Sequence, residues 1–204
     1  MLRLAHLWMV PPALVALAPF AAAHFRLLEP QSWIVENAQG DPQKLGPCGG
    51  TSANGGTPSN MVSKVMGGQK LHVKVQETIY HPGHYRIALA VNSRAELPPD
   101  PSTTSRDSDK GPMSVTAAIQ NPPRIPVLAD GLFVHTARTT DPFETDVQIP
   151  NITCEKCTLQ IVEFMAEHGL NKDGGYFYHH CADLQITADP AKAIDAGWPA
   201  AKKQ

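Results

Sequence analysis

Prolines and glycines punctuate this chain so regularly, 19 and 15 in 204 residues, that few stretches are long enough for a helix. Each interior proline removes a hydrogen-bond donor and each glycine weakens a helix by about 1 kcal/mol. What lies between them reads at a period of two. Residues 70–76 (Lys-Leu-His-Val-Lys-Val-Gln) alternate polar and apolar side chains, as a half-buried strand does. Residues 85–91, 157–165 and 176–187 are further strand candidates, and 113–119, 131–135 and 143–149 carry weaker versions of the pattern. Turn signals separate them at the spacing of an antiparallel sandwich, so the expected class is all-β. Residues 46–60 and 97–112, rich in Gly, Ser, Thr, Asn and Pro, read as surface loops without regular structure. No internal repeat is present.

The first 23 residues have the three parts of a secretory signal: Arg3, an apolar run over 7–20, and Ala21 and Ala23 before a cut. Pro11, Pro12 and Pro19 and the short length argue against a membrane anchor. The expected organisation is a signal peptide over 1–23, one domain over 24–188, and a polar tail over 189–204 that forms a short helix or frays. The formal net charge of −2 becomes −3 once Arg3 is lost, which argues against a nucleic-acid partner. Secretion or export to a periplasm, no membrane span and a monomer are expected. Asn151-Ile152-Thr153 is a glycosylation acceptor in a eukaryotic pathway.

All four cysteines follow the cut and suit two disulfides in an oxidising compartment. Cys154 and Cys157 form a C-x-x-C, which leaves Cys48 to pair with Cys181; Cys48 with Cys154 or Cys157 is the alternative. A redox motif or half a zinc site fits the C-x-x-C less well, because no βα unit and no second C-x-x-C accompany it.

A cut after Ala23 makes His24 the first residue, with an α-amine and an imidazole able to hold one metal together. A third nitrogen is offered by Ile79-Tyr-His-Pro-Gly-His-Tyr-Arg86, where His81 precedes a Pro-Gly turn and His84 is the competitor. Three nitrogens in a T-shaped plane favour Cu(II) over zinc, which takes a tetrahedral set. In Gly175-Tyr-Phe-Tyr-His-His-Cys-Ala, strand alternation places Tyr176, Tyr178 and His180 on one face and Phe177, His179 and Cys181 on the other. A Cys48–Cys181 bridge draws the segment after His24 against this strand, where the Tyr178 phenol caps the metal plane axially.

A mature N-terminal His24, a second histidine before a strand and the late Phe177-Tyr178-x-x-Cys181-Ala182 segment resemble the histidine-brace copper proteins, the lytic polysaccharide monooxygenases and their relatives. The opening, His24-Phe-Arg-Leu-Leu-Glu-Pro with Pro47-Cys-Gly-Gly50, is similar to the copper-acquisition-factor-like branch. The resemblance implies an immunoglobulin- or fibronectin III-like β-sandwich with long loops, and one mononuclear copper held by His24 and His81 with Tyr178 axial. His81 is preferred to His84 because relatives place the ligand first in a similar His-x-Gly-aromatic setting. Glu163 and His168 keep the five-residue offset of a Glu and His that flank the copper in the fungal enzymes, where they serve catalysis. Tyr176 stands where those enzymes have a glutamine. The activity implied is oxidative cleavage of glycosidic chains, chitin- or cellulose-like, with an external electron donor. Non-catalytic capture or delivery of copper outside the cytoplasm is the alternative. Trp33, Tyr80, Tyr85 and Tyr176 are the candidates for a substrate platform.

Overall fold

A computed structural model describes residues 24–202; the signal-peptide reading and the last two residues lie outside it. Ten strands run in order: β1 (His24–Glu29), β2 (Val62–Met66), β3 (Lys70–Ile79), β4 (Gly83–Ala90), β5 (Thr103–Arg106), β6 (Met113–Ala117), β7 (Val127–His135), β8 (Phe143–Gln148), β9 (Cys154–Met165) and β10 (Phe177–Thr187). Helix among the described residues is confined to one 3-10 turn, Arg94–Glu96. A three-stranded sheet has the order β1-β3-β8, a five-stranded sheet β2-β10-β9-β4-β7, and β5 pairs with β6 alone. All pairings are antiparallel except β2 with β10, so the fold is all-β with mixed sheets.

The core joins the two larger sheets as in a β-sandwich. Phe25, Leu27, Val73, Val75 and Val147 from one sheet meet Tyr85, Ile87, Leu89, Leu159, Ile161, Tyr178, Leu184 and Ile186 from the other. On β4 the odd residues face this core while Ala88 and Ala90 join a second cluster with Cys48 and Cys181 on the outer face. Both faces of β4, β9 and β10 are therefore covered, which is why these strands read as nearly continuous apolar runs.

Three expectations need correction. Loop 97–112 contains β5, whose threonines favour a strand and whose Thr104 hydroxyl lies 2.7 Å from that of Thr116. Residues 188–202 neither form a helix nor come away from the fold. Trp198 packs on the core, and the Asn151 side-chain amide donates to the carbonyls of Asp189, Lys192 and Ala193. Asn151 is thereby buried with its amide nitrogen engaged, so the glycosylation acceptor is closed in the folded chain. Third, Tyr176 does not share the Tyr178 face. Gly175 has φ +60°, the strand starts only at Phe177, and Tyr176 packs with Val162, Phe164 and Phe177 on the outer side.

Both disulfides form as read, Cys48–Cys181 and Cys154–Cys157. The long one spans a separation of 133 residues and fastens the connection between β1 and β2 to β10. Around it, Trp33 N–H donates to the Cys181 carbonyl at 2.9 Å and His179 N–H to that of Gln43 at 2.7 Å. Reducing the long bridge in Cys48→Ser or Cys181→Ser removes a constraint worth about 4–5 kcal/mol on the chain-entropy model. Thermal unfolding will show a much larger drop in Tm for these variants than for Cys154→Ser or Cys157→Ser, whose loop is short.

A buried acid pins β1 from beneath. The Glu36 carboxylate accepts from Leu27 N–H at 3.2 Å and lies 3.2 Å from His180 Nδ1, while His180 Nε2 donates to the Phe25 carbonyl. Burial pushes the Glu36 carboxyl up to about 7 and the His180 imidazole down to about 3. The two groups approach closely, yet His180 Nδ1 makes no hydrogen bond among the described residues. Because the folded Glu36 binds its proton more tightly than the unfolded chain does, its contribution is full below pH 4.5 and lost as pH rises through about 7. Glu36→Gln will flatten that decline, on the order of a few kcal/mol, in denaturation curves between pH 4.5 and 8.

Candidate metal centre

The chain reaches the site from three directions. β1 begins at His24, opposite Ile79 at the end of β3, and Phe25 stands opposite Glu77. The turn from β3 to β4 carries His81, and the end of β9 runs past it: Ala166 N–H donates to the Pro82 carbonyl at 2.7 Å. At Gly83 a Cβ would stand 1.9 Å from the Phe164 carbonyl oxygen, so only glycine lets β4 start this close to β9. The His-Pro-Gly-His pattern thus has a backbone reason as well as a chemical one. On the other side, Gly40 adopts φ +99° and a Cβ there would stand 1.9 Å from the Phe25 oxygen. This contact brings Asp41 beside His24.

Four of the predicted side chains come together. The His24 and Tyr178 rings are 5.2 Å apart, Tyr178 and His168 6.4 Å, and His168 and His81 4.7 Å, all edge-on. All four are buried. His24 Nε2 donates to Asp41 Oδ2 at 3.1 Å, whereas its Nδ1 is buried without a hydrogen-bond partner. His81 Nδ1 donates to the Ala166 carbonyl at 2.8 Å, leaving Nε2 as that ring's remaining nitrogen. Each imidazole is therefore held at one nitrogen by a fixed acceptor with the other left over, the arrangement by which metal-binding histidines are oriented. The hydrogen bond from His24 holds the Asp41 carboxyl below its ordinary range, and burial pushes the His81 imidazole down, so the Asp41 acceptor and the His81 ring resist protonation. Neutral imidazole is the ligand form. The Tyr178 phenol, with its hydroxyl pushed up to about 12 by burial, stays neutral beside them.

The remaining candidates fall elsewhere. His84 lies on the outer face of β4 against Phe164, ring centroids 5.2 Å apart. Glu163 stands opposite both Tyr178 and Tyr85 in the sheet register, fully buried in the layer beneath the histidines. Tyr85 is fully buried and Tyr176 nearly so, which removes both from any substrate platform. Trp33 is turned toward the long disulfide, its indole donating to the Cys48 carbonyl at 2.7 Å under the Arg94 guanidinium. Of the four aromatics, Tyr80 alone stays partly exposed beside this centre, 6.1 Å from the His135 ring.

Sequence reasoning missed Asp41, Glu77 and His135. Asp41 sits in Gly40-Asp41-Pro42, a plain turn signal, and its role depends on a contact across 17 residues. Two carboxylate-oriented or carbonyl-oriented imidazoles are suited to hold a soft-to-borderline metal ion, and a buried His24 nitrogen without a partner is the feature such an ion satisfies. No protein-family model matches this chain, and no curated protein is similar enough to match it. Asp41→Asn keeps the shape but weakens the acceptor that orients His24. On the copper reading proposed below, titration of that variant is expected to show affinity about 10–100-fold lower with an unchanged fold by circular dichroism.

Proposed function

We propose that the chain is an exported histidine-brace copper protein of the lytic polysaccharide monooxygenase-like type, with an immunoglobulin-like sandwich as its scaffold. The observation that carries this reading is His24: a buried imidazole with Nε2 tied to Asp41 and Nδ1 without a partner, in ring contact with Tyr178. After a cut behind Ala23 the His24 amine, its Nδ1 and His81 Nε2 would hold the copper, with the Tyr178 phenol in ring contact with His24 beside them. Copper held there supplies one-electron chemistry toward O2 or H2O2, which in the related enzymes ends in oxidation of a sugar C–H bond and scission of the glycosidic link. The protein's own part is orientation and exclusion. Asp41 and the Ala166 carbonyl fix the two rings, Tyr178 keeps a neutral phenol over the site, and His168 stands next to His81 as the group able to hold a proton near the reacting atoms. Glu163, buried behind Tyr178, has no direct path to substrate.

Copper capture or delivery is the second reading, and a specific observation favours it: Tyr85 and Tyr176, expected to help form a polysaccharide platform, are buried. The two disulfides suit an oxidising compartment under either reading, and no helix among the described residues is long and apolar enough to cross a membrane.

The test is made on the exported protein. Mass spectrometry of the mature N-terminus will show His24 first, and titration will give one Cu(II) per brace, lost when a residue or tag precedes His24. His81→Ala will remove nitrogen coupling from the copper electron paramagnetic resonance spectrum and lower affinity by more than the roughly 10–100-fold of an orienting residue; His84→Ala will leave both nearly unchanged. The opposite pattern would reverse the ligand assignment. Soluble oxidised oligosaccharides from chitin or cellulose, formed only with copper and reductant, mark the enzyme; tight copper binding with no such products marks the carrier.

A further inference from the structure

We propose that Glu77, His135 and Glu163 form a second metal site, for a divalent cation such as Zn(II), buried between the two sheets beneath the histidine pair. The three residues come from β3, β7 and β9, so the site takes ligands from both sheets of the sandwich. One ligand atom from each lies within 4.8 Å of the others. Zinc bonds to carboxylate and imidazole are about 2.0–2.2 Å long, so donors around a tetrahedral ion stand about 3.4 Å apart. Closing this triad needs side-chain movement of up to about 1.4 Å, which carboxylate and imidazole rotamers can supply.

A cluster of this kind matters because of what its members lack. Glu163 is fully buried; the Tyr85 hydroxyl is the neighbour able to donate to its carboxylate, and neither oxygen makes a well-formed hydrogen bond among the described residues. Glu77 is almost as buried; its Oε1 accepts from His81 N–H at 2.9 Å, while Oε2 has no partner. The ion pairs of these two acids among the described residues include no lysine or arginine. A carboxylate left dry and unpaired is among the costliest arrangements in a protein core. His135 adds a geometric signal. Its Nδ1 donates to the Phe133 carbonyl at 2.7 Å and its Nε2 lies 3.2 Å from Glu77 Oε1, a contact that either a second ring proton or a metal ion at Nε2 accounts for.

A divalent ion satisfies all of these conditions together. Two carboxylates and one neutral imidazole balance its charge, and the ion reaches Glu163, which a proton shared between His135 and Glu77 does not. Oxygen and nitrogen donors in this ratio suit zinc and its first-row neighbours. Tyr85, Phe133 and Phe143 wall the pocket with rings, and the buried Tyr85 hydroxyl is a further polar atom on the Glu163 side. Without the ion, burial drives the Glu163 carboxyl well above its ordinary range and a proton takes its place. None of its ligands is a ligand of the proposed copper site, although Glu77 also receives the His81 backbone N–H.

The experiment uses the full exported chain with an extra residue left before His24, which disables the brace. Zn(II) titration by calorimetry will give one high-affinity equivalent, and excess zinc will raise Tm by several degrees. Co(II) in its place will give visible d–d absorption of a low-coordinate site. Glu163→Gln will abolish the cobalt absorption and weaken zinc binding at least about 100-fold, while the metal-free variant unfolds at or above the wild-type temperature, since an amide carries no charge to bury. His135→Phe will lose the cobalt signal independently should Glu163→Gln fold poorly. Absence of cobalt absorption and of any zinc-dependent Tm shift in the brace-disabled wild type would overturn the proposal in favour of protons alone. So would wild-type zinc affinity in Glu163→Gln.

Discussion

The Cys48–Cys181 bridge holds together parts of the chain that have no other strong reason to meet. Between β1 and β2 lie more than 30 residues with almost no regular structure, and the orienting carboxylate Asp41 is among them. That stretch cannot bury enough apolar surface to fix its own path. It is laid along β10 instead, fastened by the disulfide, by backbone hydrogen bonds from Trp33 and His179, and by the Trp33 indole on Cys48. β10 carries Tyr178 three residues before Cys181, and Tyr178 touches His24, which bonds Asp41 back in the loop. The covalent tie therefore closes a circuit running from β10 through the loop to β1 and returning at the site.

How far the sequence could be read depended on how local the determining interaction was. β3 was legible because one of its faces is buried and the other wet, and alternation is the direct record of that asymmetry. β4, β9 and β10 were legible as apolar runs bounded by turns. β1 and β2 were not: β1 is six residues with no clean alternation, and β2 is a largely exposed edge strand, parallel to β10. At the site, His81, His168 and Tyr178 were found because each sits at or near the end of a readable strand, whereas His24 was found from the cut site and not from β1. Tyr176 was misplaced by extending the period of two across Gly175, where a left-handed backbone breaks it. Glu77 and His135 are 58 residues apart and meet only through sheet packing, so no spacing rule could join them.

The buried histidines of this protein make a comparison among themselves. His24, His81, His135, His179 and His180 each have one ring nitrogen on a defined acceptor: Asp41, the Ala166 carbonyl, the Phe133 carbonyl, Asp100 and the Phe25 carbonyl. What separates them is what the second nitrogen meets. For His180 it is Glu36, 3.2 Å away, and the ring in edge contact with it is Phe25 rather than another imidazole. His179 leaves Nδ1 without a partner too, but it lies on the outer face with no other imidazole in ring contact among the described residues. His24 and His81 are joined through His168 and Tyr178, and that proximity of oriented rings turns an unsatisfied nitrogen into a candidate ligand.

Glu77 connects the two centres. One of its oxygens receives the His81 backbone N–H and faces His135 Nε2, and the other has no partner. The position of His81, and hence the spacing of the His24 and His81 rings, is thus set by a carboxylate that also borders the Glu163 pocket. A cation drawn between Glu77 and Glu163 would pull on this carboxylate from below while leaving its bond to His81 intact. The fixed strands β3, β4 and β9 limit such movement to tenths of an ångström, yet ligand geometry at a metal is sensitive on that scale. The charge state of the lower pocket is therefore part of what positions the upper one, even though no side chain serves as a ligand in both.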